Sequence, residues 1–241
     1  MKKGGLKFCC LVLFFIFIFT SPMMAENTTV NLVSRVIESF DNPEESIWIV
    51  RGSKFITEGF PKSSFVDAWP EALFGANKEG LDLKVLGVAA KWDRQGYNFL
   101  EFIPADQEGN LKPITIPGKV KSIDMWVWGS NYNYYLEVHL LDYKGIVHTL
   151  KLGDLNFTGW KNLKVDVPGT IPQTGGYLTS QGFSRELKLV KLVLWTTPRE
   201  RVDDYVIFLD HIKVLTDVFI PRFDGDDLVT RLSEIWGGNN K

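Results

Sequence analysis

The chain has 241 residues with 27 basic and 29 acidic side chains, 45% hydrophobic content and eight tryptophans. That is ample apolar material for a core, and the near-neutral charge with no basic run beyond the first seven residues argues against a nucleic-acid partner. The length suits one large all-β domain as readily as two small ones, and a high aromatic content favours a sandwich whose faces carry large rings.

The chain opens as an export signal. Lys2, Lys3 and Lys7 precede an unbroken apolar run from Phe8 to Phe19, and Ser21-Pro22-Met23-Met24-Ala25 ends in a small residue. A run of about 12 residues is short for a membrane span and right for a secretory signal. Residues 1–25 are therefore expected to be removed after Ala25, leaving no membrane span. Both cysteines, Cys9 and Cys10, lie inside this segment. A cysteine-free mature chain of this size, held by its core alone, fits a bacterial periplasm better than a disulfide-dense secreted module.

From Asn31 to Phe40 a β-rich segment leads into the turn Asp41-Asn42-Pro43. Ser46–Thr57 reads as a strand broken at Arg51-Gly52. Glu58–Gly80 reads as a packed loop with a turn of helix at Glu71–Phe74, since glycine and proline interrupt its aromatic residues. Leu83–Trp92 and Tyr97–Ile103 are strands joined at Asp93–Gly96, and Pro104–Gly118 is a long polar loop.

The strongest pattern is Val120–Pro168, four strands with their turns. Ile123, Met125 and Val127 fall on one face, and Ser122, Asp124, Trp126 and Trp128 on the other. Leu136, Val138 and Leu140 alternate with Tyr135, Glu137 and His139. Asp142-Tyr143-Lys144-Gly145 closes a hairpin, because aspartate bonds its own turn backbone and glycine takes the left-handed position. Ile146–Leu152 returns, and Leu163, Val165 and Val167 alternate with Asn162, Lys164 and Asp166. These four strands are expected to share one antiparallel sheet with a wet or contacting face.

Gly169–Gly182 is a second long loop. In Leu187–Thr196, Val190, Leu192 and Leu194 alternate against Lys191 and Trp195. Pro198–Asp204 is a charged turn, and Tyr205–Leu215 is apolar on both sides, as a central strand would be. Asp226–Trp236 predicts an amphipathic helix with Leu228, Leu232 and Ile235 on one face, stopped by Gly237-Gly238. Residues 26–218 thus form an all-β, jelly-roll-like sandwich, and 219–241 a tail whose helix docks on its own domain or on a neighbouring subunit.

The sequence beyond the signal has no Gly-x-Ser-x-Gly, no phosphate-binding glycine loop, no cysteine nucleophile and no His-x-x-x-His pair. No catalytic residue and no cofactor is nominated, and the chain reads as a non-enzyme. His139, His148 and His211 read as polar-face residues. Asp203-Asp204 and Asp224–Asp227 read as solvated carboxylates at turns and a helix start. Two features carry a second reading. Trp126, Trp128, Tyr132, Tyr135 and Trp195 are candidates for an aromatic interaction surface, suited to sugar stacking or protein contact unless they pack under the Glu58–Gly80 loop. Asp41 and Asp210 would meet if the first and last strands pair, and could then hold a structural calcium or form a plain surface ladder.

The block Trp126-Val127-Trp128-Gly129-Ser130-Asn131-Tyr132, then Asp142-Tyr143-Lys144-Gly145, then Gly159-Trp160-Lys161-Asn162-Leu163, resembles the spirochaete periplasmic flagellar filament outer-layer (sheath) proteins, the FlaA family. The opening Val33–Asp41 is similar too, and the resemblance covers nearly the whole mature chain. More remotely, Phe40-Asp41, the Trp195 strand and Phe208-Leu209-Asp210 resemble jelly-roll carbohydrate-binding modules of the galactose-binding type. The first resemblance implies a structural subunit in the periplasm that coats a flagellin core. It would contact core flagellins and other sheath proteins and set filament shape, stiffness and motility. The alternative from the residues themselves is a periplasmic glycan-binding module.

Overall fold

The computed structural model describes residues 30–77, 80–173 and 186–219. These form twelve strands and one helical turn: β1 (Leu32–Glu38), β2 (Trp48–Gly52), β3 (Lys62–Asp67), α1 (Glu71–Phe74), β4 (Lys84–Ala90), β5 (Phe99–Pro104), β6 (Ile114–Ile116), β7 (Lys119–Ser130), β8 (Tyr135–Leu141), β9 (Val147–Asp154), β10 (Thr158–Asp166), β11 (Leu187–Trp195) and β12 (Tyr205–Asp217). They make two sheets, packed face to face as an all-β sandwich. The first has the order β10-β7-β12-β4-β3 with β1 also on β12; the second has the order β2-β5-β11-β8-β9 with β6 also on β11. Every pairing is antiparallel.

Each sheet is organised by one long central strand. Tyr205–Leu209 of β12 pair with β4, and Ile212–Asp217 pair with β1 along the same edge. The opposite edge is taken by β7 from Phe208 to Asp217. In the second sheet β11 meets β5 and β6 along one edge and β8 along the other. A strand apolar on both sides is what such a position selects.

The interior matches the alternation in most strands. Ile123, Met125, Val127, Ile207, Leu209 and Val214 face Leu136, Val138, Leu140, Leu189, Leu192 and Leu194, none more than 1% exposed. Each such side chain contributes on the order of 1.5–3 kcal/mol by leaving water. Register shifts interrupt the pattern, among them one in β7 and one in β11. Lys121 is an extra residue opposite Leu215–Thr216, so Val120 and Ile123 both point inward. In β11 the register slips between Leu189 and Lys191, so Leu187 and Leu189 are core while Val190, expected there, is not.

The four strands of Val120–Pro168 do not share one sheet. β7 and β10 belong to the first, β8 and β9 to the second. The chain arches across at Asn131 (φ 59°) to Tyr134 and returns through Leu155 to Gly159 (φ 90°). Tyr132 and Tyr134, 2% and 0% exposed, anchor the arch by turning into the core beside Trp92 and Tyr205. Their hydroxyls donate to the carbonyls of Asp203 (2.7 Å) and Arg201 (2.6 Å), which ties the arch to the 198–204 turn. Period-two alternation says which face of a strand is buried but not which strand lies beside it.

The Asp142 hairpin is as expected. Its carboxylate accepts from the Lys144 and Ile146 amides at 2.8 and 2.9 Å, and Gly145 has φ 83°. The 58–80 loop does contain helix at Glu71–Phe74, but also the edge strand β3, and the 104–118 loop contains β6. The expected helix at 226–236 lies outside the described residues. A sharp packing constraint sits at Gly129, where a Cβ would lie 2.6 Å from the Phe157 carbonyl oxygen. Gly129→Ala is expected to lower stability by about 2 kcal/mol, read as a reduced urea midpoint. Gly169→Ala, with nothing within 4 Å of the new methyl group, should leave the midpoint unchanged.

Candidate interaction surfaces

Both sheets present an outer face built from the residues opposite the core. On the first sheet the strand register aligns Trp160, Trp128, Phe208, Gly87 and Ser64 in one row across five strands. Trp128 and Phe208 meet edge-on, with ring centroids 5.5 Å apart. Gly87 makes room for Phe208, since a Cβ there would lie 2.9 Å from its ring. Beside Phe208 an apolar groove of about 230 Å³ is lined by Val66, Ala89, Val206 and the Lys62 stem. Trp126 is half-buried in the next row, and its indole Nε1 has no hydrogen-bond partner among the described residues. Further along, Asp124 accepts from Asn162 (2.9 Å) and pairs with Lys213 (3.3 Å).

The second sheet carries a different face. Phe99, Trp195, Tyr135 and Asp154 form a cross-strand row, with Phe99 and Trp195 at 5.4 Å. Tyr97, 68% exposed, precedes Phe99. The Lys151 ammonium lies 5.4 Å from the Tyr135 ring. Behind the rings runs a polar ladder. Trp195 Nε1 donates to Glu137 Oε2 at 2.9 Å, His139 Nε2 is 3.2 Å from the same oxygen, and Lys191 pairs with Glu101. Burial, with the nearby Glu137 charge, pushes the Tyr135 phenol up.

The five aromatic residues singled out from the sequence are therefore not on one platform. Trp126 and Trp128 lie on one outer face and Tyr135 and Trp195 on the opposite one. Tyr132 is in the core, with the Arg201 guanidinium 4.2 Å over its ring. Sequence reasoning missed Trp160, Phe208, Phe99 and Tyr97. Trp160 was recoverable, because it shares parity with Asn162 and Lys164 on the outward side of β10.

The two acidic candidates do meet. β1 pairs with β12 so that Glu38 faces Ile212, bringing the Phe40-Asp41 corner to Asp210-His211. Phe40 (φ 63°) and His211 (φ 46°) both take left-handed backbone there. Asp210 is 2% exposed, and its Oδ1 lies 3.0 Å from His211 Nδ1. Burial pushes the Asp210 carboxyl up, opposed by His211 and reinforced by the Asp41 charge. The hydrogen bond to Asp210 holds the His211 imidazole above its ordinary value against the cost of burial. Asp41 Oδ1 accepts from the Lys84 amide at 3.2 Å. Among the described residues no group of three or more His, Cys, Asp or Glu gathers as a metal site. The group beside Asp210 is the His211 imidazole, against which Phe74 of α1 packs edge-on at 5.3 Å.

Residues 30–222, which span both sheets, match the family described as flagellar filament outer layer protein FlaA. The chain belongs to that family. The FlaA match contains every residue of the three motifs on which the resemblance rested. A flagellar filament outer layer-like protein of Brachyspira hyodysenteriae is 28% identical over 145 residues, 59% of this chain. The aligned part spans 62% of that curated relative's own length. Among solved structures, TmCBM61 in complex with β-1,4-galactotriose superimposes with a TM-score of 0.42 at 17% identity, covering 76% of this chain and 99% of that one. A family 11 carbohydrate-binding module from a cellulosomal cellulase of Clostridium thermocellum gives 0.38 at 10% identity, covering 79% and 98%.

His211→Ala strands a buried carboxylate and is expected to cost about 3 kcal/mol in a denaturant titration. Asp210 and His211 both hold protons more tightly folded than unfolded, so their contribution to stability falls as pH rises. For His211 it is complete below about 6.5, its ordinary value, and is lost as pH climbs through its higher folded value. The melting temperature should decline through that window, and the Asp210→Asn, His211→Gln double variant should flatten the decline.

Proposed function

We propose that this chain is a structural subunit of the outer layer of a periplasmic flagellar filament. It is exported by cleavage near Ala25, coats the flagellin core, and contributes to filament shape, stiffness and motility. The observation that carries this reading is the FlaA family match across residues 30–222, both sheets included. The geometry supports it. A coat subunit needs one surface for the core and others for its neighbours, and heterologous contacts of that kind build open arrays. Here two opposite faces carry large half-buried rings, the residue types that dominate contact energies. Trp126, Trp128, Trp160 and Phe208 serve one face, and Phe99, Trp195 and Tyr135, with the exposed Tyr97 beside them, the other. The partners are core flagellins and other sheath proteins. A coat subunit needs no catalysis, and the family match is to a filament outer-layer protein. No helix among those residues is long and apolar enough to cross a membrane.

A second reading has its own observation. The Phe99–Trp195–Tyr135 row ends against Glu137, His139, Glu101 and Lys191, so rings able to stack on sugar faces adjoin groups able to meet hydroxyls. This face would take a glycan. Oligosaccharides that shift tryptophan fluorescence in the native chain but not in Trp195→Phe would support it; no shift across a broad panel would remove it.

The sheath reading is tested with purified core filaments stripped of their outer layer. The mature protein should co-sediment with them. Trp128→Ser with Trp160→Ser, or Tyr97→Ser with Tyr135→Ser, should weaken association or coat formation at least about tenfold, the effect of losing a buried aromatic anchor. Melting temperatures of both pairs should stay near that of the parent. Unchanged co-sedimentation in both would show that neither face makes the contacts.

A further inference from the structure

At the end of the first sheet away from the Trp128 row, β1 carries an uncovered apolar strip. Val30, Leu32 and Val36 are 48%, 50% and 49% exposed. They share one side of the strand, because Leu32 lies opposite Asp217 and Val36 opposite Lys213, both on the outer face. Half-buried Leu215, opposite Ser34, fills the space between them. Among the described residues β1 pairs only with β12, so its far edge is open. An open edge with a row of exposed β-branched and leucine side chains is a template for unwanted strand pairing unless something covers it.

The chain itself leaves at this spot. The Val218 amide donates to the Asn31 carbonyl at 2.9 Å, and the amides of Asn31 and Phe219 both donate to Asp217 Oδ1 at 2.9 and 3.1 Å. Residue 219 is thus pinned beside Val30 and Leu32. The sequence continues through Pro221 and Asp224-Gly225, both turn-forming, into Asp226–Trp236. There Leu228, Leu232 and Ile235 are spaced i, i+4, i+7, two aspartates stand at the start, and glycines follow the end. As a helix this stretch is about 16 Å long, against about 20 Å from Val30 to Val36 along the strand. The six residues from 220 to 225 span up to about 20 Å, enough to reverse direction. A tether that short holds its end at a local concentration in the millimolar range.

We infer that segment 226–236 packs as a helix along β1 of its own chain, with Leu228 over Leu32, Ile235 over Val36, and Leu215 beneath. It covers the exposed apolar strip on the outer face of β1 and leaves the Trp128 row free for partners. The family match ends at residue 222, before this segment.

The full mature chain tests it, since no cysteine follows Cys10. Two cysteine pairs are installed separately, Leu32→Cys with Leu228→Cys and Val36→Cys with Ile235→Cys. Mild oxidation should give a disulfide within the monomer for at least one pair. In a second measurement the thiol of Val36→Cys should react at least about tenfold slower with a small alkylating reagent than the same thiol in a chain also carrying Leu228→Asp, Leu232→Asp and Ile235→Asp, as local protection requires. Disulfide-linked dimers would show that the occupant is a second copy and overturn the inference. Absence of any cross-link with equal alkylation rates would show that the strip is bare and overturn it as well.

Discussion

The pairing of β12 with β7 is the constraint on which the rest of the molecule depends. It runs from Phe208 opposite Trp128 to Asp217 opposite Lys119. Inside it, Ile207, Leu209, Ile212 and Val214 pack with Ile123, Met125 and Val127 to form half of the core. Outside, the same register sets Trp128 beside Phe208 and Asp124 beside Lys213. The free edge of β12 then accepts β4 and β1 end to end, which draws the first strand of the sandwich onto its last. A one-residue slip in this ladder would turn every core side chain of β12 outward. Burial on that scale leaves no room for such a slip.

Tying the ends together also buries the Asp210 carboxylate at the edge of the core. Asp210 sits where β12 bulges between its β4-paired and β1-paired halves. The bulge turns His211 into left-handed backbone and places its ring against the buried carboxylate. Where both groups are charged, a buried pair of this sort adds little net stability compared with apolar packing, but losing one partner is costly. Its consequence is a corner that couples the end of β1 to the middle of β12.

Much of this was readable in the residues, for local reasons. Ile123-Met125-Val127 and Leu136-Val138-Leu140 announced their buried faces because period-two alternation is a local signal. Asp142 and Gly145 announced their turn because its hydrogen bonds lie within five residues. The neighbourhood of Asp41 and Asp210 followed from the single assumption that first and last strands pair. What could not be read was non-local. β3, with Lys62-Ser63-Ser64 at its start, has weak strand character and becomes a strand because β4 offers it an edge. Val190 was misplaced because a bulge interrupts the alternation without any mark in the sequence. Tyr132 looked like a surface ring because it follows Trp126 and Trp128, but it lies past the arch where the alternation stops. The separation of the remaining aromatics onto two opposite faces follows from the split of β7 and β8 between sheets, which no single strand records. The family resemblance, by contrast, rested on short motifs at turns and strand ends, where backbone chemistry restricts the choice of residue.

The most direct test of the account is made on the native cell. Flagellar filaments are sheared free, banded on a density gradient, and examined by quantitative mass spectrometry with the N-terminus of this chain resolved. The account predicts the chain in the filament band, in amounts comparable to the core subunits and starting at or near Glu26. Its recovery in the soluble or outer-membrane fraction, with filaments that lack it, would contradict the account and leave glycan binding as the reading to pursue.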